Sequence, residues 1–193
     1  YHDKGEIAVD LSYPTPLVNT TGGMKFKIAT VFKSSLVVIT EELGDDTIVY
    51  SGSGENFGKF GSGEDPNDGG VDSGFFAWRK GDGAKIVSLQ PFKEQLYVFK
   101  TNKTGVFDFS TAADGAAVVR DINLAVGAVS QDAIHPAGND LRGWGQDGAF
   151  SMGNEPNFAD VIRTKVLSAR MQKTIDSLTF ASQHKIVSVY HKN

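Results

Sequence analysis

The segment Asp65-Pro66-Asn67-Asp68-Gly69-Gly70-Val71-Asp72 sets four oxygen-bearing side chains, Asp65, Asn67, Asp68 and Asp72, within one short polar turn. A hard cation such as calcium takes several oxygen ligands from just such a compact turn. The segment begins like an EF-hand loop, but it lacks the acidic fifth ligand. Phe76 also stands where the bidentate glutamate belongs. The expected role is therefore a solvated loop or a subunit contact, and no metal is expected.

The histidines, His2, His135, His184 and His191, lie far apart in sequence, without the close spacing of a metal pair. Each is expected to be exposed or hydrogen-bonded. Gly145-Gln146-Asp147-Gly148-Ala149-Phe150 has a trace of the Asp-box turn of sialidase propellers, without its serine or threonine, and such turns are structural in any case. Glycoside hydrolysis needs two suitably spaced carboxylates, which sequence alone does not place. No GxxxxGK[ST] phosphate loop and no GxSxG elbow occurs. The expectation is no catalytic residue, no cofactor and no enzyme. Trp78, Trp144, Phe75 and Phe76 could form a sugar-binding platform, although core packing is the commoner use of such residues. Phe75, Phe76 and Trp78, next to the polar loop, are the candidates for a subunit interface.

These residues sit in a chain of 193 residues, 40% hydrophobic and 22% charged, which is a globular composition. Gly (22) and Phe (13) are both abundant, as expected of short strands joined by tight turns. The net charge is −4, with both signs along the chain, so tight nucleic-acid binding is not expected. The absence of cysteine removes disulfides, thiolate metal sites and cysteine nucleophiles. No apolar run is long enough for a membrane span. The sequence opens at Tyr1 without Met or a signal-peptide pattern, which suggests a fragment or a processed chain.

Residues 1–24 read as irregular and 25–193 as one β domain. Lys25–Phe32 alternates, with Phe26, Ile28 and Thr30 on one face and Lys25, Lys27 and Ala29 on the other. Leu36-Val37-Val38-Ile39 reads as a strand covered on both faces. Thr47–Ser51 is a further strand, followed by a glycine-rich stretch that Phe57 and Phe60 are expected to pin to the body. Lys85–Leu89, Leu96–Phe99, Gly105–Phe109 and Ala117–Leu124 follow as strands. Leu141–Trp144 and Ala149–Met152 read as a hairpin, on the strength of Asp147-Gly148. The spacing of Phe158, Val161, Ile162, Val166 and Ala169 predicts one helix near residues 158–173, capped by Asn157. Leu178–Phe180 and Ile186–Tyr190 close the chain as two strands.

An internal repeat organises these strands. Phe32-Lys33-Ser34-Ser35-Leu36-Val37-Val38-Ile39 aligns with Phe92-Lys93-Glu94-Gln95-Leu96-Tyr97-Val98-Phe99, each copy after a Lys-Ile strand, Lys27–Thr30 and Lys85–Ser88. A degenerate third copy starts at Asn139-Asp140-Leu141. Leu36, Leu96 and Leu141 are thus spaced by 60 and 45 residues. A period of roughly 40–50 residues per set of strands is that of a β-propeller blade. The expected fold is mostly β: propeller-like, antiparallel, repeated small sheets. A β-sandwich of similar hairpins is the competing fold.

Lys27–Ile39, Ile48–Gly52 with Phe57 and Phe60, Ile86–Lys100 with Gly105–Phe107, the hairpin Gly138–Gly153, the segment Asp160–Ile175 and the final strands, in that order, resemble the β-propeller tail proteins of tailed bacteriophages. These include the tubular nozzle proteins of short-tailed phages. The resemblance covers most of residues 25–193, and Arg142-Gly143-Trp144 departs from it where a more apolar strand is expected. It implies a structural protein of the virion tail, assembled in the host cytoplasm. It further implies a homo-oligomeric ring around the tail axis, of which a hexamer is one form, bound to other tail or adaptor proteins. Such a ring forms or closes the DNA exit channel, with DNA passing through the lumen without specific binding. The alternatives are a carbohydrate- or receptor-binding β domain of a tail tip and a propeller glycosidase.

Overall fold

The computed structural model describes residues 25–41, 43–54, 57–58, 60, 73–108, 118–155 and 158–189. The loop with Asp65, Asn67, Asp68 and Asp72 lies outside them, as do residues 1–24, His2 and His191.

The chain forms three four-stranded antiparallel sheets in succession. The first holds β1 (Phe26–Phe32), β2 (Ser35–Thr40), β3 (Thr47–Tyr50) and β4 (Gly74–Ala77), in that order. The second holds β5 (Ile86–Phe92), β6 (Gln95–Lys100), β7 (Thr104–Asp108) and β8 (Val118–Asn123). The third holds β9 (Ile134–Ala137), β10 (Asp140–Gly145), β11 (Gly148–Glu155) and β12 (Phe158–Val166). Every sheet is a meander in which each strand pairs with its sequence neighbour.

The repeat has a backbone signature. The first hairpin of each sheet turns through two residues: Phe32 pairs with Ser35, Phe92 with Gln95 and Ala137 with Asp140. The first turn residue takes a positive φ in all three, 47° at Lys33, 54° at Lys93 and 65° at Gly138. Two-residue hairpin loops favour this conformation because its twist matches that of the flanking strands. The first two hairpins also share a register shift, between Phe26 and Ile28 in β1 and between Ile86 and Ser88 in β5. Phe26 therefore corresponds to Ile86. The sequence alignment of Lys27 with Lys85 is two residues out of step, an error that keeps every side chain on its proper face because strands alternate with period two.

Burial bears out several strand expectations. In β1, Lys27, Ala29 and Val31 are exposed, while Ile28 and Thr30 are half-buried. Every residue of β2 is buried, as a strand covered on both faces must be. Phe60 packs on Leu36, Val38 and Val49, so it does pin the glycine-rich stretch, whereas Phe57 is 47% exposed. The hairpin of β10 and β11 turns through Gln146-Asp147, with Gly145 paired to Gly148.

Three expectations are corrected. The helix predicted near residues 158–173 is β12 up to Val166, paired along β11 from Phe150↔Val166 to Glu155↔Phe158. Its β-branched residues Val161, Ile162, Thr164 and Val166 suit a strand, and the waiting edge of β11 satisfies the backbone. Helix appears later and in short pieces, α1 (Gln172–Asp176) and α2 (Phe180–Gln183). Leu178 is a bend and Phe180 already begins α2, and Ile186–Val189 joins no sheet ladder. β9 carries no clear sequence signal because it is short and contains Pro136. Only an edge strand tolerates a proline that cannot donate to a ladder, and β9 is the edge of its sheet.

The chain divides into two compact units. Unit 1 is Tyr1–Gly83 with Phe107–Val119, and unit 2 is Ala84–Val106 with Arg120–Asn193. Within unit 2 a core of Phe92, Tyr97, Phe99, Val106, Ala128, Ile134, Leu141, Phe150 and Met152 joins strands of the second and third sheets. Gln131 fastens them further. Its side-chain amide accepts from the Leu89 N–H at 2.9 Å and donates to the Leu89 carbonyl at 3.2 Å, as a neighbouring strand would.

Candidate functional site

The interface candidates part company in the structure. Phe75 is 56% exposed on β4, Phe76 is half-buried, and Trp78 is only 2% exposed. Trp78 follows β4, its backbone N–H donates to the Asp46 carbonyl at 2.9 Å, and its burial puts the side chain in the interior and not on a partner surface. A sugar platform built on Trp78 is excluded on the same ground. Trp144 is half-buried, with its indole N–H enclosed. Among the described residues of unit 1, the exposed aromatics are Phe57 and Phe75.

Ser51 is the polar anchor of unit 1. Its buried hydroxyl accepts from the Leu36 N–H at 2.9 Å and the Gly58 N–H at 3.1 Å, and donates to the Gly52 carbonyl at 2.9 Å. One hydroxyl thus satisfies three backbone groups where the chain leaves β3 for its glycine-rich insertion.

Of the histidines, His135 on β9 has a defined partner. Its Nδ1 lies 2.7 Å from the Ser188 hydroxyl. Burial first, and then the nearby Arg142 guanidinium, lower its pKa below the ordinary value, and the ring tautomer sets which of the two groups donates in this hydrogen bond. Among the described residues no three His, Asp or Glu side chains gather as metal ligands would.

The C-terminal segment 165–189 is the feature that sequence patterning misplaced. It crosses one end of the third sheet as a strap. Beside β11, the Leu167 N–H donates to the Ala149 carbonyl at 2.8 Å and the Ala149 N–H to the Ser168 hydroxyl at 3.0 Å. At the tip of the β10–β11 hairpin, a side chain on Gly148 (φ 114°) would lie 2.8 Å from Ile175 Cδ1, so only glycine lets the strap lie this close. Beyond α2 the strap reaches β9. The Ser130 hydroxyl donates to the Ile186 carbonyl at 3.0 Å, and the Ser188 N–H donates to the Asp132 carbonyl at 2.9 Å. Ile186 and Ser188 are half-buried, while Val187 and Val189 are 66% and 84% exposed. Val166, Leu167, Met171 and Leu178 are also exposed along the strap.

A shallow cavity of about 110 Å³ opens in unit 2 beside the strap, lined by Thr101, Asn102, Ala125–Gly127, Gly145–Phe150 and Val166. Gly127, Gly145 and Gly148 are among the residues that line it. A side chain on Gly127 would collide with the Lys100 carbonyl and the Asn102 amide.

Charge divides with the units. Unit 1 has 7 Lys and Arg against 15 Asp and Glu, a net of −8, and unit 2 has 12 against 8, a net of +4. Ten of the 15 acids of unit 1 lie outside the described residues. No helix among the described residues is long and apolar enough to cross a membrane. No protein-family model matches the chain, and no curated protein matches it.

Proposed function

We propose that this chain is a structural component of a bacteriophage tail, a propeller-like protein that assembles as a ring forming or closing the DNA exit channel. The observation that carries this reading is the succession of four-stranded meanders whose first hairpins share a two-residue turn with its first residue at positive φ. A four-stranded meander is the unit from which propeller blades are built. The ordered motifs from Lys27 to Ile175 supply the tail-protein resemblance. The partners of this reading are further copies of the chain and adjoining tail or adaptor proteins, with the virion tail as location.

Electron microscopy of the purified native particle tests it. Rings with rotational symmetry around an open lumen are expected, and a protein that stays monomeric under assembly conditions would sink the proposal. A second reading, a carbohydrate- or receptor-binding domain, draws on the exposed Phe57 and Phe75. It predicts loss of host adsorption or glycan binding in Phe57→Ala/Phe75→Ala, and unchanged binding dismisses it.

A further inference from the structure

We infer that His135 and Ser188 form an acid-sensitive latch: acidification releases residues 186–189 from β9 while the rest of the strap stays docked. The latch works in a monomer and in a ring alike.

Three features carry it. The first is the thinness of the hold. Residues 186–189 join no sheet ladder and are held by isolated hydrogen bonds. The Ser130 hydroxyl donates to the Ile186 carbonyl, the Ser188 N–H donates to the Asp132 carbonyl, and Ser188 Oγ meets His135 Nδ1 at 2.7 Å. The middle of the strap is fastened by burial instead. Ile175 is 2% exposed, and the buried Gln183 donates from its side-chain amide to the Gln146 carbonyl at 3.4 Å. The end can therefore lift while α1 and α2 remain in place.

The second is the company of the imidazole. His135 on β9 stands directly opposite Arg142 on β10. Opposed side chains of an antiparallel pair share a face and lie close enough to interact. A proton on His135 thus sets two cations side by side, and beneath a covering segment their repulsion is screened less than in open water. Asp132 just precedes β9, and His184 and Lys185 precede the held residues on the strap. All three side chains are exposed, where solvent screens their pull on the ring.

The third is the hydrogen bond itself. A neutral imidazole has one donor and one acceptor nitrogen, so Ser188 fits either tautomer. The charged ring donates at both nitrogens and leaves only the arrangement in which Ser188 accepts. Burial and Arg142 already hold the ring below its ordinary pKa. Lifting the end of the strap relieves part of that burial, so the open form binds the proton more readily and acid favours it. The latch is shut above the ordinary histidine value of about 6.5 and loosens as the pH falls below it.

Electron paramagnetic resonance of the full chain tests this. The sequence has no cysteine, so Val189→Cys, at a residue 84% exposed, carries a single nitroxide label. Its line shape is expected to be ordered at about pH 8 and to gain a mobile fraction, larger by about threefold or more, toward about pH 5. His135→Asn should abolish this pH dependence. Arg142→Gln should move the transition to higher pH, because removing the cation raises the pKa of the ring. Should Val189→Cys fail to fold by circular dichroism, Val187→Cys, 66% exposed, takes its place. The same label at Val31→Cys on β1 should not respond. A strap label whose motion is constant with pH, or changes equally in His135→Asn, overturns the latch. A change shared by the Val31 label is general acid unfolding and overturns it as well.

Discussion

β2 and β10 hold the same position in their sheets and fill it in opposite ways. β2 places Val37, Val38 and Ile39 in the interior on both of its faces. β10, at the matching positions, has Arg142, Gly143 and Trp144, with Arg142 exposed and only alternate residues buried. The space beside Gly143 is taken by neighbours, since a side chain there would lie 2.8 Å from Ile134 Cγ1 and 3.1 Å from Phe150 Cζ. The apparent departure from an apolar strand is thus an exchange of volume between strands. What the sheets share is backbone conformation, register and turn, while the residues that supply the bulk are free to move from one strand to the next.

Swapping the two solutions should damage both sheets. Val38→Gly removes a fully buried side chain and stiffens nothing in return, and is expected to cost about 3 kcal/mol in urea unfolding. Gly143→Val, the reverse exchange, overpacks Phe150 and Ile134 and should cost about 2 kcal/mol. If Gly143→Val were tolerated without loss, volume exchange would not be the explanation.

The serine ties sharpen the contrast. Ser51 anchors the exit of β3 in the first sheet, and Ser168 ties the strap to β11 in the third. Ser51→Ala leaves the Leu36 and Gly58 amides without that acceptor and should cost about 1–2 kcal/mol. Ser168→Ala, which frees only the Ala149 amide, should cost less on the same measurement.

At the hairpin tips the expected effects are smaller and differ in sign. Lys33→Gly and Lys93→Gly relieve a positive φ that lysine adopts at a cost, and should stabilise by a few tenths of a kcal/mol up to about 1. Each gain is reduced by the lost contact of the lysine Nζ with the preceding ring, 5.4 Å from Phe32 and 5.0 Å from Phe92. Gly138→Ala should destabilise by about 1 kcal/mol, because it imposes the strain that the other two turns already bear. Thermal unfolding of the three variants side by side reads the difference.

The smallest effect belongs to His135. Its folded pKa lies below the unfolded value of about 6.5, so the unfolded chain binds the proton more readily. Its contribution to stability is complete above that value and declines as the pH falls toward the folded pKa. His135→Asn should flatten this slope as the pH falls below about 6.5, measured by urea midpoints, and an unchanged slope would assign it to other groups.

Much of the β architecture was legible because its signals are local. Alternation marked β1, a continuous apolar run marked β2, Asp147-Gly148 marked the third hairpin turn, and the recurring Phe-Lys pair marked two of the repeats. The misreadings fall where tertiary context decides. The spacing from Phe158 to Val166 suits a helix nearly as well as a strand, and the open edge of β11 chooses. Ile186–Val189 has strand composition, yet Ser130, Asp132 and His135 hold it by isolated bonds without a ladder.

The two-residue turns have a kinetic consequence. Neighbouring strands joined so tightly find one another within a short search of the chain, and folds rich in such local pairings form quickly. The strap obeys a different clock. Its bonds from Ser130 to Ile186 and from His135 to Ser188 span 56 and 53 residues, and they must wait until β9 exists to receive them. Completion of the third sheet is therefore the event that licenses Val187 and Val189 to take up their outward posture, so a copy still folding does not present the same surface as a finished one.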